Sequence, residues 1–317
     1  MRRFGMRRAV VAVVVTVCAA VSLGAGGVGA ASAEEGGERY PVGDLGTSIK
    51  NFFFSPDAPA GANDWSCTPS EEHPEPVVIV HGTTSNFGSA GAMIAPTLAN
   101  EGYCVYGFNY GAVPYSAGRL FGLGDIEESA RTMSAFVDRV LESTGADRVD
   151  VIGGSQGGMM PNYYIKRLGG AAQVRTMIGL GPTNHGTTMN GLVELGRTLH
   201  VLGLVNDFYR LIGAPAYIQQ EAGSEFQEEL FADGDTVPGV RYLTIATAHD
   251  TTVTPVTNSF LRGPDSTNIL LQDLCPDDPV SHSGMSFDGP IMQLILNELG
   301  PREPDFRPEC VNYGPNV

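Results

Sequence analysis

Six short apolar segments alternate along the chain with longer segments of helical periodicity. The apolar segments span residues 76–80, 103–110, 149–152, 174–181, 240–247 and 268–274. Most of them are apolar without interruption, which is typical of strands that are buried on both faces. The alternation therefore predicts an α/β fold in which helices cover both faces of one mainly parallel sheet.

The segments between the strands give the predicted helices. Their periodicity predicts helices at residues 89–101, 125–144, 158–168 and 288–299. Residues 34–75 are rich in Pro, Gly and Glu, so we expect an irregular segment on the surface there.

The first 33 residues do not belong to this pattern. A basic start, MRRFGMRR, precedes an apolar run, and ASA stands directly before Glu34. This order is typical of a secretory signal peptide with its cleavage site. An uncleaved anchor is the alternative, and the Gly/Ala-rich sequence after Leu23 favours cleavage. We therefore expect a secreted mature chain, residues 34–317, that forms a single domain.

The mature chain is strongly acidic. Loss of the four arginines in the signal peptide changes the formal charge from −16 to −20. No cluster of Lys and Arg remains, which makes nucleic acid and anionic membrane surfaces poor partners. We expect no nucleic-acid partner, and we expect a monomer.

Four cysteines remain once Cys18 is removed with the signal peptide. An even number in an exported protein predicts two disulfides, for which three connectivities exist. Proximity in the sequence favours Cys67–Cys104 and Cys275–Cys310. The chain has neither a CxxC pair nor an HExxH motif, so we predict no metal site. We also expect no cofactor.

One serine stands among glycines where a predicted strand meets a predicted helix, in the sequence VDVIGGSQGGMM. Residues 153–157 match G-x-S-x-G, the pattern of a nucleophile elbow that projects the serine above the sheet edge. The turn requires a positive φ at the serine and brings the positions two before and two after it together. Only glycine fits there, at Gly153 and Gly157. We predict that Ser155 is a nucleophile, with an ordinary tight turn as the alternative.

A serine nucleophile needs a base to take its proton and an acid to orient that base. In folds with this elbow the chain order is serine, acid, histidine. Asp250 comes directly after a predicted strand, and His282 is the only histidine after it. These two are therefore the predicted acid and base. Asp277 or Asp278 remains an alternative acid.

The developing oxyanion needs backbone donors. One is the N–H that follows the nucleophile, that of Gln156, and the second comes from the loop after an early strand. Thr83 follows His81-Gly82 directly after the first predicted strand. We predict Thr83 and Gln156 as the oxyanion donors, with a simple turn at Thr83 as the alternative. His185 and His249 are interpreted as loop residues.

The chain resembles the secreted bacterial lipases of the class 2 α/β-hydrolase family. The resemblance is carried by VVIVHGTTSN, GGSQGGMMPNYYIK, GPTNHGTT, GDTVPGV, HDTTVTP and TNILLQD, which span roughly residues 40–310. It implies the α/β-hydrolase fold and hydrolysis of acylglycerols through an acyl-enzyme. By this resemblance the nucleophile, acid and base fall on Ser155, Asp250 and His282, and the oxyanion donors on Thr83 and Gln156.

The resemblance also supports pairing of Cys67 with Cys104. Two departures concern substrate range more than mechanism. Many members of the family carry His where this chain has Gly154, and a bulkier acidic motif where it has HDTTVTP.

Three functions remain open at this point. The first is a secreted carboxylester hydrolase, a triacylglycerol lipase or a short-chain or polyester esterase. The second is an acyltransferase with the same triad, and the third is a non-catalytic binding protein on this fold. For the first two we expect an apolar ester as substrate and transient contact with a lipid interface.

One connection is much longer than the others. Roughly 58 residues separate Gly181 from Val240, whereas connections usually have about 4–6 residues. Its centre, residues 192–213, is strongly apolar with near-helical spacing. Either it forms two ordinary core helices, or residues 186–236 form a helical cap whose apolar face borders an acyl-binding cleft.

Overall fold

All six apolar segments form strands of one sheet in the computed structural model, which describes residues 40–317. The predicted signal peptide, residues 1–33, lies outside the described residues. The strands are β1 Val77–Val80, β2 Val105–Phe108, β3 Val149–Gly154, β4 Val174–Leu180, β5 Arg241–Ala246 and β6 Ser266–Leu270. Their spatial order is β2-β1-β3-β4-β5-β6, and every neighbouring pair is parallel. The predicted parallel sheet is confirmed.

Eleven α-helices connect or flank these strands within the described residues. They are α1 Leu45–Phe54, α2 Phe87–Ala90, α3 Ile94–Asn100, α4 Ile126–Thr144, α5 Gln156–Arg167, α6 Leu192–Thr198, α7 Leu202–Leu211, α8 Ala216–Gln219, α9 Glu225–Phe231, α10 Leu271–Leu274 and α11 Gly289–Leu299. None of these helices is both long and apolar enough to cross a membrane.

Residues of β1 to β5 enter two separate cores, one on each face of the sheet. In β1, Val77 and Ile79 belong to the cluster that includes residues of α3 and α11. Val78 and Val80 belong to the cluster on the opposite face, with residues of α4 and α5. Because both faces are covered, every position of β1 must be apolar, which explains the uninterrupted pattern.

The order of the strands fixes where a ligand crevice opens. The chain runs from β1 outward to β2 and then crosses to the other side of β1 to form β3. A crevice opens at such a reversal, outside the carboxyl ends of the strands. Val80 and Gly153 are register partners at the ends of β1 and β3. The loops that follow these two strands carry Thr83 and Ser155.

Both expected disulfides are present, and their pairing is confirmed. Cys67–Cys104 joins the segment before β1 to the start of β2, with its Cα atoms 5.8 Å apart. Cys275–Cys310 joins the end of α10 to the C-terminal segment, with Cα atoms 5.5 Å apart.

The N-terminal segment differs from the prediction. Residues 34–75 are not wholly irregular, because α1 lies within them. The Asp44 side chain caps this helix by accepting from the Thr47 N–H at 2.8 Å, which is the usual role of Asp at a helix start. The proline and glycine content that predicted an irregular segment belongs to the residues on either side of α1.

Two other boundaries also differ. The helix predicted at 89–101 is divided into α2 and α3, with Gly91 at the end of α2. A Cβ on Gly91 would lie 2.9 Å from Pro59 Cγ, so close packing there requires glycine. The last strand ends at Leu270, and α10 replaces the predicted strand residues 271–274.

Candidate active site

Ser155 occupies a strained position between β3 and α5. Its φ is 55° and its ψ is −123°, a combination that residues with a side chain rarely adopt. The Ser155 N–H donates to the Leu180 carbonyl of the neighbouring strand at 2.9 Å, which holds the turn against the sheet. Strain of this kind persists where surrounding structure enforces it, and it is frequent at catalytic residues.

The glycines around Ser155 have no room for a side chain at two positions. A Cβ on Gly153 would lie 1.9 Å from the Gly157 carbonyl oxygen, and one on Gly157 would lie 2.2 Å from the Val80 carbonyl oxygen. Gly154 is different, because the nearest atom to its Cβ would be 3.9 Å away. A Cβ would fit at position 154, so packing does not require glycine there, in contrast to positions 153 and 157.

The structure brings the predicted acid and base into direct contact. His282 Nδ1 lies 2.7 Å from Asp250 Oδ2, while Asp250 Oδ1 accepts the N–H groups of Thr252 and Val253 at 2.8 Å each. The Asp250 side chain is fully buried and that of His282 is 13% exposed. These three contacts hold the carboxylate, which fixes the orientation of the imidazole and leaves Nε2 as the ring's second nitrogen.

Ser155 and His282 line the same cavity. Within residues 40–317 the Ser155 hydroxyl has no hydrogen-bond partner. Contacts between nucleophile and base are often long in a site without substrate and shorten when substrate binds.

The alternative acids lie elsewhere. Asp277 is exposed. Asp278 is buried, and its Oδ1 accepts the Val280 N–H at 2.9 Å. Its carboxyl lies near that of Asp288, which caps α11. Burial raises the pKa of Asp278, and burial raises the pKa of Asp288 to about 6. Within the described residues, neither Asp277 nor Asp278 forms a hydrogen bond or an ion pair with His282.

The two predicted oxyanion donors stand close together. No described residue accepts a hydrogen bond from the backbone N–H of Thr83 or Gln156. Gln156 begins α5, where the first N–H groups of a helix have no partner inside the helix. The Gln156 side chain reaches across to Thr83, with Nε2 3.1 Å from Thr83 Oγ1. Both positions therefore offer free donors beside Ser155.

Thr83 also has a partner that sequence analysis missed. Gln220 Nε2 lies 3.0 Å from Thr83 Oγ1, although 137 residues separate the two in the chain. Gln220 follows α8, in the long connection between β4 and β5. No local pattern marks this residue, because its contact with Thr83 depends on how the connection folds back over the sheet.

His81, next to the site, has a structural role. Its ring is stacked on that of Tyr110, with centroids 4.3 Å apart, and its Nδ1 lies 2.8 Å from the Gly82 carbonyl oxygen. Burial lowers the pKa of His81 to about 4, so the ring is neutral at pH 7. It holds the end of β1 in place.

The remaining histidines after Ser155 are not at the site. His185 pairs with Asp235 at 3.0 Å and packs against Phe231. His249 and His200 are exposed.

A cavity of about 950 Å³ opens above Ser155. Its walls are largely apolar, and beside the loops at the carboxyl ends of the strands they include α1 on the N-terminal side and α6 with α7 from the long connection. The lining side chains from these helices include Ile49, Phe52, Phe53, Leu195, Leu202 and Val205. Cavities of this size accommodate ligands with long apolar groups.

Helices α6 and α7 are not packed as core helices. Val193 is the only buried residue of α6, and Asn206 the only one of α7. Leu204 is 74% exposed and Leu211 is 84% exposed. Apolar side chains therefore face both the cavity and the outside, and the interpretation as ordinary core helices is not supported.

Comparison with known proteins agrees with this architecture. A family model described as the alpha/beta hydrolase fold matches residues 75–197. Aspergillus fumigatus lipase B has a similar structure, with a TM-score of 0.59 and 20% identity over 78% of this chain. This chain covers 57% of the length of that lipase.

A second similar structure comes from work on LipS and LipT, two metagenome-derived lipolytic enzymes. Its TM-score is 0.51 and its sequence identity is 14%, over 74% of this chain and 97% of that chain. At such identities the likeness concerns the fold. The sheet order, the strand–serine–helix turn and these comparisons together show that the chain has the α/β-hydrolase fold.

Proposed function

We propose that the protein is a serine carboxylic-ester hydrolase of the lipase type. Ser155 acts as nucleophile, His282 as base and Asp250 as the acid that orients it, while the N–H groups of Thr83 and Gln156 bind the oxyanion. One observation carries the proposal. A serine held at positive φ stands at the edge of the sheet and shares an apolar cavity with a histidine that is hydrogen-bonded to a buried carboxylate.

Acylation follows from this arrangement. The Ser155 Oγ bonds to the ester carbonyl carbon as its proton passes to His282 Nε2, and the carbonyl oxygen becomes an oxyanion. Asp250 accepts the Nδ1–H and stabilises the imidazolium. The carbon–oxygen bond to the alcohol then breaks as His282 returns the proton to that oxygen. The alcohol leaves, and the acyl group remains on Ser155.

Deacylation repeats these steps with water. His282 takes a proton from a water molecule whose oxygen bonds to the acyl carbon. The bond to Ser155 Oγ breaks, and the proton passes to the serine as the carboxylic acid is released. An alcohol in place of water would make the same site a transferase, which is the second candidate.

Acylglycerols are the substrate class that the cavity favours. A largely apolar cavity of about 950 Å³ suits long acyl chains better than small polar esters. The exposed leucines of α6 and α7 surround this region and would contact a lipid interface transiently. Two disulfides accord with secretion, which we also propose.

Replacement of the nucleophile tests the proposal. We expect Ser155→Ala to lower kcat by about 10⁶-fold, because the three residues act as a unit. Rates are measured on emulsified triacylglycerol and on a soluble short-chain ester, with free fatty acid as product. Covalent labelling by an organophosphonate is expected in the wild type and not in Ser155→Ala. Ester cleavage at a near-normal rate in the variant would contradict the assignment.

A further inference from the structure

We infer that Gln272 is a positioning residue that holds the loop carrying Asp250 against the loop carrying His282. The inference rests on the proposed function, because it gives Gln272 a role in the catalytic contact between these two residues. Gln272 does not itself line the cavity, so it acts only through the acid and the base.

The register of the sheet places Gln272 beside the loop that carries the acid. Strands β5 and β6 are paired with Ala246 opposite Leu270 at their ends. Two residues further along each segment stand Ala248 and Gln272. Because β6 gives way to α10 after Leu270, the backbone pairing stops there. The Gln272 side chain continues the pairing, since its Oε1 accepts the Ala248 N–H at 2.8 Å.

The other end of the Gln272 amide faces the loop before His282. Its Nε2 lies 3.1 Å from the Asp278 carbonyl oxygen and 3.0 Å from Thr247 Oγ1. The Ala248 N–H can only donate and the Asp278 carbonyl can only accept, so both ends of the amide are assigned. One side chain thus joins the loop after β5 to a position four residues before His282.

The Thr247 hydroxyl forms the second part of this connection. It donates at 2.7 Å to the carbonyl of Val280, two residues before His282, and Thr247 is completely buried. Its oxygen accepts from Gln272 and from the His249 N–H, which lies 3.2 Å away. A hydroxyl has one hydrogen and two acceptor positions, and all three are used. Gln272 therefore helps to fix the direction of this hydroxyl.

These contacts determine where the Asp250 carboxylate stands. The Asp250 N–H donates to the Thr247 carbonyl at 3.2 Å, which closes a tight turn over residues 247–250. Gln272 holds this turn, and the loop that Gln272 also binds continues directly to His282. A displacement of either loop changes the 2.7 Å contact between His282 Nδ1 and Asp250 Oδ2. Displacements of about 1 Å in a catalytic site can lower the rate by about 10²-fold.

Gln272→Met tests the inference, since methionine has a similar length and lacks the amide. With 4-nitrophenyl butyrate as a soluble substrate we expect kcat to fall about 10-fold, because the acid and base are less well placed. KM should change by less than about twofold, because the cavity walls are unaltered.

The proton on His282 Nδ1 provides a second measurement. A proton in a short imidazole–carboxylate hydrogen bond gives a ¹H NMR signal far downfield of the other protons. We expect this signal in the wild type. In Gln272→Met we expect its loss, or broadening by faster exchange with water. A general loss of stability that left the contact between Asp250 and His282 intact would not move this signal.

Gln293 of α11 provides a matched control. Its Oε1 accepts the Glu309 N–H at 2.8 Å and its Nε2 donates to the Glu309 carbonyl at 3.1 Å, so it also ties a helix to a neighbouring segment. Both glutamines are half-buried. We expect Gln293→Met to lower the melting temperature as Gln272→Met does, with kcat within about twofold of wild type and the downfield signal unchanged. Equal losses of kcat in both variants would overturn the inference.

A double-mutant cycle shows whether Gln272 acts through the acid. In an Asp250→Ala background there is no carboxylate to position. Gln272→Met is therefore expected to have almost no further effect on kcat in that background. Additive losses of kcat in the cycle, or an unchanged downfield signal in Gln272→Met, would contradict the inference.

The proposed function fails separately from this inference. Ester cleavage at a near-normal rate in Ser155→Ala would contradict the function itself, whereas the NMR signal of His282 does not require the Ser155 hydroxyl. A wild type that needs Ser155, together with full kcat in Gln272→Met, would leave the function intact and refute the role of Gln272.

Discussion

The sheet and the α6–α7 segment are built from the same kinds of residue but use them in opposite ways. Leu98 of α3 is completely buried against the sheet, whereas Leu204 of α7 is 74% exposed. The strands and their covering helices form closed cores on both faces. The α6–α7 segment instead lines a cavity with one side and leaves the other side uncovered. Apolar sequence thus stabilises the fold in the first region and is available to a ligand in the second.

Among the variants that compare these two regions, the largest expected effect belongs to the edge of the sheet. We expect Asp250→Asn to lower kcat by about 10⁴-fold, because the imidazole of His282 would lose the carboxylate that fixes its tautomer. The melting temperature should change little in comparison. The measurement is kcat on a soluble ester together with thermal unfolding. A loss of less than tenfold would contradict a catalytic contribution of Asp250 at the sheet edge.

A matched pair of leucine variants compares the two regions directly. Leu98→Ala is expected to lower the free energy of unfolding by about 2–5 kcal/mol, because it leaves a cavity in the core. Leu204→Ala should change it by less than about 0.5 kcal/mol. Denaturant unfolding of both variants measures this difference. Equal losses would mean that α7 is packed as firmly as α3.

The buried pair Asp278 and Asp288 gives the core a dependence on pH. Because the folded-state pKa of Asp288 is raised from 3.8 to about 6, the folded state binds this proton more tightly than the unfolded state. The contribution of protonated Asp288 to the free energy of unfolding is therefore present in full below about pH 4 and is lost as the pH rises through about 6.

Replacement of one member of the pair should flatten this dependence. In Asp278→Asn the amide oxygen can still accept the Val280 N–H, and its NH₂ group can face Asp288 without a second charge. We expect a melting temperature about 3 °C or more above wild type at pH 7 and a smaller difference at pH 4. Asp277→Asn, at the exposed neighbour, is the control. An unchanged pH profile in Asp278→Asn would show that Asp278 does not influence the protonation of Asp288.

The smallest effect on stability, and a selective effect on activity, is expected on the uncovered side of the α6–α7 segment. The double variant Leu204→Ser/Leu211→Ser should leave the rate on a soluble ester unchanged. On emulsified triacylglycerol we expect a several-fold loss, because less apolar area is available to the lipid surface. Initial rates on both substrates decide this. An equal loss on both would place these leucines in the chemistry rather than at an interface.

The sequence predicts those parts of the molecule whose physical signal is local. Strands β1 to β5 are largely buried on both faces, so their apolar runs mark them. The turn at Ser155 requires glycines, and these are visible in the sequence. Asp250 could be predicted as the acid because parallel strands place their carboxyl ends at one edge, and His282 as the base because it is the only histidine after Asp250. The helix at residues 45–54 was missed, although Asp44 is its local capping signal.

Other features depend on tertiary contacts that leave no local trace. Gln220 is one of two adjacent glutamines, and only the folded connection distinguishes it from Gln219, whose amide contacts Asp125 and the Ile126 N–H. The apolar spacing of residues 192–213 predicts helices, but it cannot say whether the apolar side chains are covered. That depends on what packs against them.

The register of β1 and β3 has a consequence for how such a site can diversify. Because Val80 and Gly153 are partners in adjacent parallel strands, backbone hydrogen bonds set the spacing between the loops that carry Thr83 and Ser155. If the proposed function holds, substitutions in α6 and α7 can thus change which acyl chains enter without displacing Ser155 from the proposed oxyanion donors. Substrate range and reaction would then be free to evolve in separate parts of the chain.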